Sequence, residues 1–192
     1  MRKIILIFVF IFLTIMANAQ SDVYFKLNTD GDFYINNNKV DTIINIPGLT
    51  AQQLYSKVKS SLMKVYNNPD VVISDNEPIS LSVFSLAEDW CKVNPTLTGY
   101  ILYSSNYVLL FHFKDGRVKI DAPKVNDELL YHGYSTPIIT SFHKLVQSWC
   151  KDEKSYNKNK SRIDTIESAV NAAIIQVVED LAENPSAEAE IW

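Results

Sequence analysis

The chain has 192 residues, 47% of them hydrophobic and 21% charged, with a formal net charge of −4 at pH 7. That is enough apolar material for a packed core, so a chain disordered along most of its length is excluded. An acidic balance without a basic block also argues against a nucleic-acid phosphate surface.

Residues 1–19 have the form of a secretory signal peptide. Arg2 and Lys3 make a positive start, Ile4 to Met16 is apolar apart from Thr14, and Ala17-Asn18-Ala19 gives a small-x-small pattern before Gln20. The stretch is too short and wrongly flanked for a stable transmembrane helix. The expectation is an exported protein, periplasmic or extracellular, cleaved after Ala19. Cleavage removes two positive charges and takes the net charge to −6. No cysteine stands at the cleavage site to carry a lipid, and nothing later is apolar and long enough to span a bilayer.

Val23–Leu27 and Phe33–Ile35 read as a small hairpin or extended arm around Asn28-Thr29-Asp30-Gly31-Asp32. Val40, Thr42, Ile44 and Ile46 alternate with Asp41, Ile43 and Asn45, the period of a strand with one buried face, ended by Pro47-Gly48. Thr50-Ala51-Gln52-Gln53 has capping-box form. A helix follows to Tyr66, with Ala51, Leu54, Val58, Leu62 and Val65 along one face, and Asn67-Asn68-Pro69 ends it.

Val71–Ser74 and Ile79–Leu86 read as strands, and Ala87–Leu97 as a loop or short irregular helix. Tyr100–Tyr103 reads as a further strand leading through Ser104-Ser105-Asn106 to another at Tyr107–Phe113. Asp115-Gly116 then marks a two-residue hairpin into Arg117–Ala122, where Val118, Ile120 and Ala122 alternate with Arg117, Lys119 and Asp121. Thr136-Pro137 has the form of a helix start, followed by an apolar stripe of Ile138, Phe142, Leu145, Val146 and Trp149. Lys151–Lys160 is a linker or a solvated helix. Ile163, Ile166, Val170, Ala173, Val177 and Leu181 form a second stripe, ended by Asn184-Pro185. It packs on its own domain or, through Ile163, Val170 and Val177, makes a homodimer seam.

The expected architecture is α+β. A signal peptide occupies 1–19, an antiparallel-sheet domain 20–135 with its helix near 50–66, C-terminal helices packing on the sheet 136–184, and a loose tail 185–192. Strand–helix–strand–strand–strand–strand–helix after a signal peptide resembles a bacterial family known only as domain of unknown function 4468. The matching residues are Asp30-Gly31, Ile46-Pro47-Gly48-Leu49-Thr50, Leu54-Tyr55-Ser56-Lys57 and Phe113-Lys114-Asp115-Gly116-Arg117-Val118-Lys119. The resemblance covers 30–125. It departs at Val118, where an aromatic is commoner, and in the Ala87–Tyr103 excursion, which has the look of an insertion. Such proteins are similar in fold to one half of the TATA-box-binding protein. The resemblance therefore implies a curved antiparallel sheet of about five strands with helices on one face. It implies no activity.

Residue patterns for catalysis are sparse. Asn28, Asp30 and Asp32 invite a calcium reading, but an EF-hand loop needs glycine at its sixth position and an acid at its twelfth. Counted from Asn28, Gly31 is fourth and Lys39 twelfth, which favours a turn. The histidines, His112, His132 and His143, form no metal-binding pair, and no cysteine stands at zinc spacing. There is no Gly-x-Ser-x-Gly elbow, and five glycines leave little room for a phosphate loop. Glu88-Asp89 and Asp152-Glu153 read as solvated surface. Cys91 and Cys150, each between Trp and Lys, are either a disulfide or two buried thiols.

No catalytic residue, metal or cofactor is assigned. What remains is Tyr107–Phe113, apolar on both faces. Tyr107, Leu109, Phe111 and Phe113 either lie under the helices or line a groove for a ligand or partner. The expected role is a non-enzymatic module binding a protein, peptide or glycan in the cell envelope. A small secreted hydrolase with a scattered site is the alternative.

Overall fold

A computed structural model describes residues 23–36, 39–96, 99–132 and 140–183, with the backbone alone at 89, 91–96, 99–101 and 130–132. In chain order the elements are β1 (Lys26–Leu27), β2 (Phe33–Tyr34), β3 (Asp41–Asn45), α1 (Ala51–Val65), α2 (Pro69–Val72), β4 (Ile73–Asn76) and β5 (Ser80–Thr96). There follow β6 (Gly99–Lys114), β7 (Arg117–Asp121), β8 (Lys124–Val125), β9 (Glu128–His132), β10 (Thr140–Ser141), α3 (Phe142–Cys150) and α4 (Glu153–Glu183).

The antiparallel β5–β6 hairpin is the spine. Its register runs from Ser80 opposite His112 to Ala87 opposite Ser105, then shifts before Cys91 opposite Tyr103. The Asp115-Gly116 turn brings β7 back beside β6, with Gly116 at φ +74°, which glycine adopts without steric cost. β3 pairs with β7, and β4 with β5. The first half of β6 pairs instead with β9, whose other neighbour is β10, while β8 takes the middle of β6. These strands form one eight-stranded sheet among the described residues, and β1 with β2 forms the expected hairpin beside it. In its tip Asn28 Oδ1 accepts the backbone N–H groups of Asp30 and Asp32, each at 2.9 Å, so the Asn/Asp cluster closes a turn.

The Asp115-Gly116 turn between β6 and β7 also braces the start of the first helix. Thr50 and Gln53 exchange both bonds of the capping box at 3.3 and 2.9 Å. Asp115 Oδ1 accepts the Ala51 N–H at 2.8 Å, and the Gly116 N–H donates to the Leu49 carbonyl at 2.8 Å. Leu54, Val58 and Leu62 of α1 are buried together with Ile163, Ile166, Val170, Ala173, Val177 and Leu181 of α4. They cover Leu81 and Val83 of β5, Leu109, Phe111 and Phe113 of β6, and Val118 and Ile120 of β7. Each aliphatic side chain so buried contributes about 1.5–3 kcal/mol.

Several expectations change. Ala87–Leu97 is neither loop nor irregular helix: β5 continues to Thr96, and the register shift after Ala87 explains why no period of two is visible there. Tyr100–Tyr103 and Tyr107–Phe113 belong to one strand. Ser104 and Ser105 between them are fully buried, and Ser105 Oγ donates to the Asn126 carbonyl at 2.9 Å. Pro69 opens a helical turn, so the strand expected at Val71 begins at Ile73. The third helix begins at Phe142, capped by Ser141; Thr136-Pro137 lies outside the described residues. Lys151–Lys160 is largely solvated helix. Three strands, β8, β9 and β10, join the five expected: β8 and β10 have two residues each and carry no period of their own, and β9 is fixed by its pairing with β6 and β10.

The homodimer seam is also corrected. Ile163, Val170 and Val177 are no more than 2% exposed within a single chain, so their apolar surface is already used in its own core.

Candidate binding face

Side-chain alternation divides β6 sharply. Tyr107, Leu109, Phe111 and Phe113 point into the helix layer and are almost wholly buried. Phe113 meets Tyr55 of α1 edge-on at 5.7 Å, and Tyr107 stacks on Trp90 at 6.5 Å. The groove expected at these four residues is therefore core, because α1 and α4 supply the apolar cover. The side chains one residue out of phase are the ones left facing outward.

No described helix packs over that second face. On β6 it presents Val108, Leu110, His112 and Lys114, and on β7 Arg117, Lys119 and Asp121. β5 adds Phe84, 55% exposed, and Leu86, 45% exposed, while β3 adds Ile43. One end is basic: a shallow concavity of about 390 Å³ is lined by Ile43, His112, Lys114, Arg117 and Lys119. Further along, a concavity of about 550 Å³ includes Phe84, Val108 and Lys124.

Within the basic end, Asp121 accepts Lys119 at 2.6 Å and His112 Nε2 lies 3.0 Å from it; Asp41 lies 3.6 Å from Lys119. Burial alone would raise the Asp121 carboxyl, but the Lys119 and His112 bonds outweigh it and hold the group low. The Asp121 hydrogen bond in turn raises the Lys119 ammonium. Lys114, Arg117 and Lys124 make no ion pair among the described residues.

Other polar clusters are accounted for by structure. Ser141, Asp127 and His143 share the residue types of a hydrolytic triad but not its order of bonds. Ser141 Oγ donates to Asp127 Oδ1 at 2.8 Å, instead of facing the histidine. The same oxygen accepts the His143 backbone N–H at 3.0 Å and lies 2.6 Å from His143 Nδ1. His143 Nε2 looks toward Asp32 at 3.6 Å, a carboxylate and not the hydroxyl or thiol whose proton a triad histidine takes. The arrangement ties the start of α3 to the β8–β9 connection and the β1–β2 hairpin. Tyr55, Lys59 and Asp75 likewise pin α1 to β4, with Lys59 Nζ 2.6 Å from Asp75. Cys150 is a free thiol whose pKa burial pushes up, away from reactivity, and the Cys91 side chain lies outside the described set. Among the described residues no group of His, Cys, Asp and Glu is arranged to hold a metal, and no helix is long and apolar enough to cross a membrane.

No family model matches the chain, and no curated protein does. Solved structures do. A DUF4468 family protein from Bacteroides ovatus superposes with a TM-score of 0.53 at 10% identity, covering 91% of this chain and 98% of its own. A TBP-like protein from Parabacteroides distasonis gives 0.52 at 12% identity, covering 75% of this chain and 91% of its own. The fold is TBP-like. At such identities the likeness establishes architecture, and it agrees with the resemblance drawn from the hairpin and helix-entry residues. In this TBP-like arrangement helices cover one face of the sheet, and no described helix covers the other.

The open face was partly legible. The alternation of Arg117, Lys119 and Asp121 marks a wet side, and His112 falls on the face of Val108 and Leu110. Missing was the step across the turn: with Asp115-Gly116 as its two residues, Lys114 must stand opposite Arg117 and His112 opposite Lys119. Phe84 and Leu86 gave no local signal, since only pairing with β6 decides which way they face.

Proposed function

We propose that this chain is an exported, non-enzymatic binding module of the cell envelope, and that its contact surface is the open face of the sheet. One observation carries this. Phe84 and Leu86 stand about half exposed beside Val108 and Leu110, on strands whose other side is closed under helices. A contiguous exposed apolar strip rimmed by polar groups is the kind of surface that marks interaction sites. Export rests on the basic start, apolar run and Ala17-Asn18-Ala19 pattern of residues 1–19.

The test is site-specific photocrosslinking in the source cells, with the probe at position 84 and a control at Met63, an equally exposed apolar residue on α1. Discrete adducts from position 84 and none from position 63 support the role. Equal yields, or no adducts from either, overturn it. N-terminal sequencing of the same purified protein should begin at Gln20, and an intact Met1 start would overturn the export part.

A further inference from the structure

Two rungs of the β6–β7 ladder set positively charged or protonatable groups directly opposite one another on the open face. Lys114 pairs with Arg117, and His112 with Lys119. Like charges at opposed positions weaken an antiparallel pair. The inner rung is relieved by Asp121, which faces both His112 and Lys119. The outer rung is not: Lys114 and Arg117 have no acidic partner among the described residues, and Asp115 between them is turned away to hold the Ala51 N–H. Lys124, opposite Val108, is a further unpaired cation on this face. A chain of net charge −4 has thus gathered uncompensated positive charge beside its exposed apolar strip.

From this juxtaposition we propose that the open face docks an acidic peptide segment of a partner protein. Carboxylates sit at Lys114 and Arg117, and apolar side chains lie on Phe84, Leu86, Val108 and Leu110. This rests on the binding role proposed above and names its ligand. Charge complementarity selects an anion, and the character of the strip selects a peptide over a glycan or a nucleic acid. Leu86, Val108, Leu110 and Ile43 are aliphatic, and Phe84 is the one large aromatic side chain among them on which a sugar or base could stack, with the His112 imidazole already held by Asp121. From His112 to Val108 is four residues of strand, about 13 Å, the same span as four residues of extended peptide.

The probe follows from that spacing: a fluorescein-labelled heptapeptide Glu-Ser-Glu-Ser-Leu-Ser-Leu, titrated into residues 20–192 and followed by anisotropy and amide chemical shifts. Its controls are the same peptide with Gln for Glu, and heparin. Support is saturable binding with shifts centred on 108–119, weakened about tenfold in the Lys114→Ala/Arg117→Ala double variant and by 0.5 M salt. Both substituted side chains are exposed, and an unchanged melting temperature confirms that the variant is folded. Equal binding of the Gln peptide, heparin shifts that match the peptide's over the apolar residues 84, 86, 108 and 110 as well as the cationic end, or no shift at millimolar peptide each overturns the proposal. If position 84 crosslinks in cells while the peptide fails, the binding role stands and the acidic-peptide ligand falls. If both fail, both fall.

Discussion

Asn171 is the residue on which the attachment of the N-terminal ribbon turns. Its Nδ2 donates to the Phe25 carbonyl and its Oδ1 accepts the Phe25 N–H, both at 2.8 Å, so one side chain replaces a missing neighbouring strand. One turn earlier, Glu167 accepts the Leu27 N–H at 2.9 Å. Burial raises the Glu167 carboxyl, and the Leu27 bond offsets only part of that. Asn171→Leu leaves both backbone groups of fully buried Phe25 without partners, and urea unfolding should show a loss of about 2–5 kcal/mol. Asp127 makes a pH-dependent contribution. The backbone N–H of His143, then its ring and Ser141, hold this carboxyl at about 2 instead of 3.8. A carboxyl lowered on folding stabilises the native state above its unfolded pKa and loses that effect as pH falls through the folded value. Stability tied to Asp127 should therefore be whole at pH 5 and disappear between about pH 4 and pH 2. Asp127→Asn should flatten that limb without abolishing it, since Asp75, Asp121 and Asp180 are lowered too. An acid limb unchanged in equilibrium unfolding of the variant would show that the cap does not act this way.

At the scale of elements, the sheet is asymmetric because α1 and α4 take one side of it. Leu62 on α1 is fully buried between the two, whereas Met63, its neighbour in sequence, is about half exposed. Leu62→Ala should cost about 2–5 kcal/mol in denaturant unfolding. Met63→Ala should stay within about 0.5 kcal/mol of the parent. Equal effects would mean that the helix does not sit on the sheet with this face. The same asymmetry explains the stripe on α4. Its spacings of three and four suit a dimer seam as well as a core, and only the nearness of β5 and α1 within one chain decides for the core.

For the whole molecule, the open face predicts that contact surface and stability are separable. Replacing Phe84 and Leu86 together by serine removes exposed apolar area and no core contact. The melting temperature should move little, while crosslinking and peptide binding disappear. A fall in stability comparable to that of Leu62→Ala would mean the face is covered in the native protein.

How much of this was legible depends on how far apart the determinants lie along the chain. The capping box at Thr50, the Asp115-Gly116 hairpin, the alternation of Val118 and Ile120, and the stripe of α4 are set by residues within a few positions of one another. Their backbone geometry follows from local sterics and capping hydrogen bonds, so residue order by itself was enough. Tertiary structure decided what lies across the sheet: that β5 runs unbroken past its register shift to Thr96, that β8, β9 and β10 are strands, and that Tyr107–Phe113 is covered on its odd-numbered side. Those outcomes arise from pairing and packing between distant segments. A strand apolar on both faces carries no sign of which face its helices will take, and that choice placed the candidate binding face on Val108, Leu110 and His112.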